Sequence, residues 1–151
     1  MQHQTIDHVL RATWQAVAKM YHEEALKYGA TMATGLALLS IDTEEGVPST
    51  SLGPRMGMEA TSLSRTLKTM EDKGLIRREP NPEDGRGVLI KLTKEGLEKR
   101  TLSRSLVKKF NKTIEESISQ SELNAFHKVT DVIMNKLEDK SIFNIKEVNI
   151  S

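Results

Sequence analysis

The chain has 151 residues, with 22 Lys and Arg against 21 Asp and Glu, 37% hydrophobic residues and no cysteine. Its length fits a single domain over residues 1–151 with one real core, and the lack of sulfhydryls excludes disulfides, thiolate metal sites and cysteine-based sensing. No apolar run approaches the roughly 18 residues of a membrane span, and the polar stretch Met1 to Asp7 is not a signal peptide, so a cytoplasmic protein without a membrane partner is expected.

From Thr5 the residues Ile6, Val9, Leu10, Thr13, Val17, Met20 and Tyr21 recur at three- and four-residue spacing, which predicts an amphipathic helix over about 5–28 with Gly29 as its stop. A second helix is expected from Thr31 to Asp42, and Gly46 with Pro48 then breaks the chain. Thr50 or Ser51 can cap a short third helix reaching Met56, with Pro54 near the end of its first turn and Gly57 supplying a left-handed turn. A fourth helix over about Ala60 to Lys73 turns Leu63, Leu67 and Met70 inward and ends at Gly74. Next come two strand-like runs, Leu75 to Glu79 and Val88 to Leu92. The turn-forming residues Pro80 to Arg86 between them predict a hairpin with a long, charged tip. Thr93 caps a long helix to about Ser117, and Ser119 with Glu122 has the capping-box spacing for a last helix to about Lys140.

The expected fold is therefore mainly α with a small β-hairpin wing: a winged helix-turn-helix at about 47–93, flanked by dimerisation helices at about 5–28 and 94–151. Charge follows the same division. Residues 1–45 hold three basic and six acidic residues, residues 46–112 fifteen and eight, and residues 113–139 two and six. A basic middle between acidic ends is the pattern of a chain that offers one face to phosphates.

Two stretches resemble a known family. One runs from Gly57 through Leu63, Arg65, Leu67 and Lys73 to Gly74-Leu75-Ile76-Arg77-Arg78; the other is Asp84-Gly85-Arg86, Val88 and then Leu92-Thr93-Lys94-Glu95-Gly96. Together they resemble the recognition helix and the wing of the MarR (multiple antibiotic resistance regulator) transcription factors. The resemblance implies a homodimeric regulator of the repressor type, with interleaved terminal helices, that reads a pseudo-palindromic operator in double-stranded DNA and responds to a small aromatic or amphipathic effector.

Residue chemistry supports the same interface. Thr61, Ser62 and Ser64 stand at the start of the recognition helix, where hydroxyls meet base edges or phosphates. Arg65 and Lys68 share a face one turn further on, with reach to guanine or to backbone. Arg86 suits the minor groove, with Asp84 pairing its guanidinium, while Arg77, Arg78 and Lys91 suit phosphates. The plainer alternatives are a solvated helix face and an ordinary surface pair in a turn.

Six basic and no acidic residues lie between Lys99 and Lys112, where Leu102, Leu106, Phe110 and Ile114 point to the core or to a partner. The apolar residues Leu123, Phe126, Ile133, Leu137, Ile142, Phe143, Ile145, Val148 and Ile150 are more than a monomer hides, and predict a two-fold interface. Trp14, Tyr21 and Tyr28, with several methionines, are candidates for an effector pocket and equally for plain core. His3, His8, His22 and His127 form no histidine pair at ligand spacing, so no metal site and no cofactor are expected. No phosphate-cradling glycine loop, HExxH motif or nucleophile elbow occurs, which argues against an enzyme. A winged helix serving as a protein-interaction module without operator specificity is the competing reading.

Overall fold

A computed structural model describes residues 4–140 and 142–143, and Ile145, Val148, Ile150 and His3 lie outside the described residues. Among the described residues six helices and three short strands follow one another: α1 (Ile6–Leu26), α2 (Met32–Ser40), β1 (Val47–Pro48), α3 (Ser49–Met56), α4 (Ala60–Asp72), β2 (Ile76–Asn81), β3 (Asp84–Leu92), α5 (Lys94–Glu115) and α6 (Gln120–Glu138). The strands form one antiparallel sheet in the order β1-β3-β2. Contacts divide the chain into two units, Met1–Leu106 and Val107–Ser151, and the boundary falls inside α5.

The core belongs to the first unit and is built from the helical and strand periodicities. Ala37 and Leu38 of α2, Leu52 and Met56 of α3 and Leu63, Leu67 and Met70 of α4 are buried with Ile41, Val47, Leu75, Ile76, Ile90 and Leu92. Spacing of four and three on α4 puts its three buried residues on one stripe, and the opposite face is left to solvent. By contrast α1 and α6 bury no residue, and α5 buries only Gly96.

Three local expectations change. The strand β1 was not foreseen: Val47 and Pro48 pair with Ile90 and Leu89. Pro48, extended at φ −58° and ψ 134°, then delivers the chain into α3 as its N-cap, so neither Thr50 nor Ser51 caps this helix. Pro54 consequently lies in the helix interior, where it removes the hydrogen bond to the Thr50 carbonyl; Leu52 and Met56, packed in the core, hold the helix in spite of it. Gly57 takes the left-handed turn at φ 62° as the sequence predicts, its amide donating to the Gly53 carbonyl.

The third change is in the wing. Strand pairing continues to Asn81 and Asp84, leaving only Pro82 and Glu83 in the turn, so the tip is shorter than the seven-residue loop expected. Asn81 and Asp84 make this possible: Asn81 Oδ1 accepts from the Glu83 amide at 3.1 Å and Asp84 Oδ1 from the Arg86 amide at 3.1 Å, replacing ladder partners.

Candidate nucleic-acid interface

Helix α4 meets solvent along Thr61, Arg65, Lys68 and Asp72, which recur at spacings of four, three and four and so lie in one stripe. Ser62 and Ser64 are exposed beside it. At its start Glu59 occupies the N-cap with no side-chain hydrogen bond, so the first-turn amides lack an internal acceptor and the positive end of the helix is open. Such an end accepts phosphate oxygens without further machinery. Beside α4 a broad groove is lined by Thr50, Gly53 and Pro54 of α3, by Ser64 and Leu67 of α4, and by Arg78 of the wing.

The wing presents Arg86 by a device that the sequence did not reveal. Pro80 pairs with Val88 and the next residue, Asn81, pairs with Asp84, so Gly85, Arg86 and Gly87 have no partners and bulge from the ladder. A bulge re-aims side chains, and here it lifts the one arginine between two glycines. Gly87 sits close to the turn, where a Cβ would lie 3.1 Å from Asp84 Oδ2 and the carboxylate would have to shift by a few tenths of an ångström. The expected ion pair between Asp84 and the Arg86 guanidinium is not formed; the carboxylate holds the Arg86 backbone amide instead, and the guanidinium points free. Among the described residues Arg65 and Arg86 carry neither ion pair nor side-chain hydrogen bond.

The other cations chosen from the sequence for this face, Lys68, Arg77, Arg78 and Lys91, are occupied. Lys68 Nζ lies 3.5 Å from Asp72 and Arg78 Nε 3.2 Å from Glu71, both carboxylates on α4. Neighbouring strand residues face opposite ways, so Arg77 and Lys91, paired across the ladder, lie on the other side of the sheet from Arg78. There Arg77 donates to Glu79 at 2.8 Å and to the Leu92 carbonyl at 2.9 Å, and Lys91 approaches Glu79 at 3.5 Å. The hydrogen bond from Arg77, reinforced by the charge of Lys91, holds the Glu79 carboxyl below its ordinary range.

What fixes the wing to the helices is the Thr93 hydroxyl. It donates to the Gly74 carbonyl after α4 and accepts from the Gly96 amide at 3.1 Å in the first turn of α5. The Thr93 amide donates to the Leu75 carbonyl at 3.1 Å. That carbonyl would stand 2.0 Å from a Cβ at position 96. The Leu-Thr-x-x-Gly pattern is thus the clasp joining the end of the recognition helix, the sheet and α5.

A second feature of the first unit is a cavity of about 270 Å³. Apolar Ala25, Leu38, Leu102 and Leu106 line it together with Tyr28, Thr34, Lys73 and Lys99. Trp14 and Tyr21 are not among its walls, and neither is any methionine. Trp14 is 59% exposed on α1, and Tyr21 is half-buried, its phenol pushed up by that burial. Lys73 was missed as a cavity residue because it reads, in sequence, as the end of α4; its Nζ donates to the Gly29 carbonyl at 2.9 Å. Among the described residues no group of three or more His, Asp or Glu could hold a metal ion, and no helix is long and apolar enough to cross a membrane.

Known proteins share this fold. A family model described as the MarR family matches residues 30–88. The chain is similar to the HTH-type transcriptional regulator SarZ, 32% identical over 59% of this chain for the protein of Staphylococcus haemolyticus and 30% identical over 70% for that of Staphylococcus aureus. It spans 60% of the length of the former and 70% of the latter. Two solved structures show the fold alone. One is the Staphylococcus aureus MepR–DNA complex, 17% identical with a TM-score of 0.80 over 88% of this chain and 98% of that one. The other is the PcaV regulator of Streptomyces coelicolor with its natural ligand, 20% identical with a TM-score of 0.71 over 87% of this chain and 93% of that one. With the clasp, the bulged wing and the uncapped recognition helix in place, and a SarZ relative 30% identical over 70% of its own length, the chain belongs to the MarR family.

Proposed function

We propose that this chain is a homodimeric, sequence-specific DNA-binding regulator of transcription, acting in the cytoplasm as a repressor that a small effector relieves. The observation that carries the proposal is the open, positive start of α4 with Arg65 on its exposed stripe, beside a wing whose bulge frees Arg86. A helix of this width enters the major groove, while a lone arginine on a wing suits the narrower minor groove. Thr61, Ser62, Ser64, Arg65 and Lys68 take the base edges and nearby phosphates, Arg78 a phosphate beside the α3–α4 groove, and Arg86 the minor groove, with Asp84 shaping the bulge. Arg77 contributes through the Glu79 network and stands further from the duplex in this reading. The reading is of a regulator rather than an enzyme, in keeping with a family of transcription regulators.

The exposed apolar faces of α1 and α6 support the dimer, and the cavity supports an effector. Lys73 and Lys99 over an apolar floor suit a small amphipathic ligand with an anionic head. The proposal gives that contact to Tyr28, Lys73 and Lys99, with Trp14 and Tyr21 outside it.

Binding of the purified protein to the DNA upstream of its own gene, measured at two salt concentrations against a random duplex, tests the DNA reading. The expected result is strong salt dependence with a clear preference for the upstream DNA. Arg86→Ala is expected to lose about tenfold or more in affinity while the oligomeric mass is unchanged. Equal, salt-independent binding of both duplexes by the parent protein would refute the reading.

A further inference from the structure

Arg78 and Glu71 belong to different elements, the first wing strand and the last turn of α4, and their ion pair of 3.2 Å ties the two together. Arg78 also lines the α3–α4 groove alongside Ser64 and Leu67, on the side of the sheet that faces the recognition helix. Its position is therefore suited to a phosphate running past α4, yet in the free protein its charge is already engaged by a carboxylate. The side chains are 38% and 43% exposed, so water reaches the pair and it contributes little to stability. A bridge of this kind is cheap to exchange. Lys68 and Asp72, by contrast, are bridged within one helix at 76% and 64% exposure, and their separation changes no other element.

We propose that Glu71 is a specificity-determining residue of the DNA interface, holding Arg78 in the free protein and yielding it to a phosphate only when α4 is fully seated in a groove. The inference rests on the DNA-binding reading above. In a loose, purely electrostatic encounter with arbitrary sequence, α4 is not inserted, no phosphate comes close enough to displace the Glu71 carboxylate, and Arg78 stays on Glu71. The carboxylate then subtracts one cation from the non-specific interface. When base contacts draw α4 in, a phosphate oxygen reaches the guanidinium and replaces the Glu71 oxygen as its acceptor, so this cation is added mainly to the specific complex. Glu71 in this way widens the gap between specific and non-specific affinity while touching no base.

The test measures Glu71→Gln, Arg78→Ala and the double variant against the upstream DNA and a random duplex of equal length over a series of salt concentrations. Thermal melts serve as the check on folding. Glu71→Gln is expected to bind the random duplex about three- to tenfold tighter, with a salt slope steeper by about one, and to gain less on the upstream DNA, so that discrimination falls. In the Arg78→Ala background the same change is expected to leave slope and discrimination unaltered. Persistence of the effect without Arg78 would overturn the proposal, since Glu71 would then act by repelling DNA directly. A parent protein that discriminates while Glu71→Gln matches it overturns this proposal alone. A parent protein that prefers neither duplex overturns the underlying reading and this one with it.

Discussion

Gly96 occupies a position with no room for a side chain, because the Leu75 carbonyl would stand 2.0 Å from its Cβ. Real Cβ atoms do not approach backbone oxygen so closely, so Gly96→Ala must push α5 away from the α4–β2 turn and break the Thr93 clasp. We expect a loss of about 3 kcal/mol, at the high end for overpacking, read as a lowered midpoint in chemical denaturation. Gly85→Ala is the matched control: nothing lies within 4 Å of its Cβ and its φ is not positive, so stability should be unchanged. The glycine could be picked out of the sequence as part of a Leu-Thr-x-x-Gly pattern. Its reason could not, because the oxygen that forbids a side chain belongs to a residue twenty-one positions earlier. Arg86 is a similar case. Its place in a turn-rich charged segment was legible, whereas the bulge that frees it, and the preference of Asp84 for the Arg86 amide, depend on how β2 and β3 pair.

Among the elements, α6 is the one whose start the sequence predicts most fully, and the cap is complete in both directions. The Ser119 hydroxyl accepts from the Glu122 amide at 3.2 Å, and a Glu122 carboxylate oxygen accepts from the Ser119 amide at 2.7 Å. The hydrogen bond from the Ser119 amide holds the Glu122 carboxyl below its ordinary value of 4.5. A carboxyl depressed on folding stabilises above its unfolded pKa, and the benefit disappears as pH falls through the folded value. Ser119→Ala is expected to cost roughly 1 kcal/mol near neutral pH. That difference should shrink as pH falls below the ordinary carboxylate range and Glu122 of the parent protonates, and parallel thermal melts from neutral into acid check it. The same local logic placed α1, α2, α4 and α5 within a few residues. It failed for β1 and for the start of α3, since two residues acquire strand character only by lying beside β3.

In the chain taken together, burial is uneven and argues for a second copy. On α1 Ile6, Val9, Leu10 and Trp14 are exposed, and on α6 Phe126, Val129 and Leu137 are exposed at 59%, 54% and 54%. Isolated apolar residues on a surface are ordinary; runs at helical spacing along whole helices that bury nothing are the ground on which the dimer is proposed. Light scattering after gel filtration at micromolar concentration should give twice the chain mass; a single-chain mass would refute the dimer. Phe126→Asp together with Leu137→Asp is expected to shift the mass toward one chain. The variant should retain cooperative unfolding of the first unit, whose core contains none of these residues.

Local periodicity, capping residues and turn formers were enough to specify the helices, the hairpin and the inward stripe of α4, because each depends on residues within one or two turns of one another. Charge along the chain also pointed to the basic middle. Placement between distant segments needed the three-dimensional structure: β1 against β3, the Thr93 clasp, the cavity walls, and the division of the candidate interface cations into the unpaired Arg65 and Arg86 and others held by Glu71, Asp72 and Glu79. Thr61, Ser62, Ser64, Arg65, Lys68 and Arg86, chosen from the sequence, come out exposed on α4 and the wing. The Asp72 carboxylate stands four residues after Lys68 on one helix and was within reach of the sequence; that Glu71 holds Arg78 was not, because the two belong to different elements that meet only in the fold.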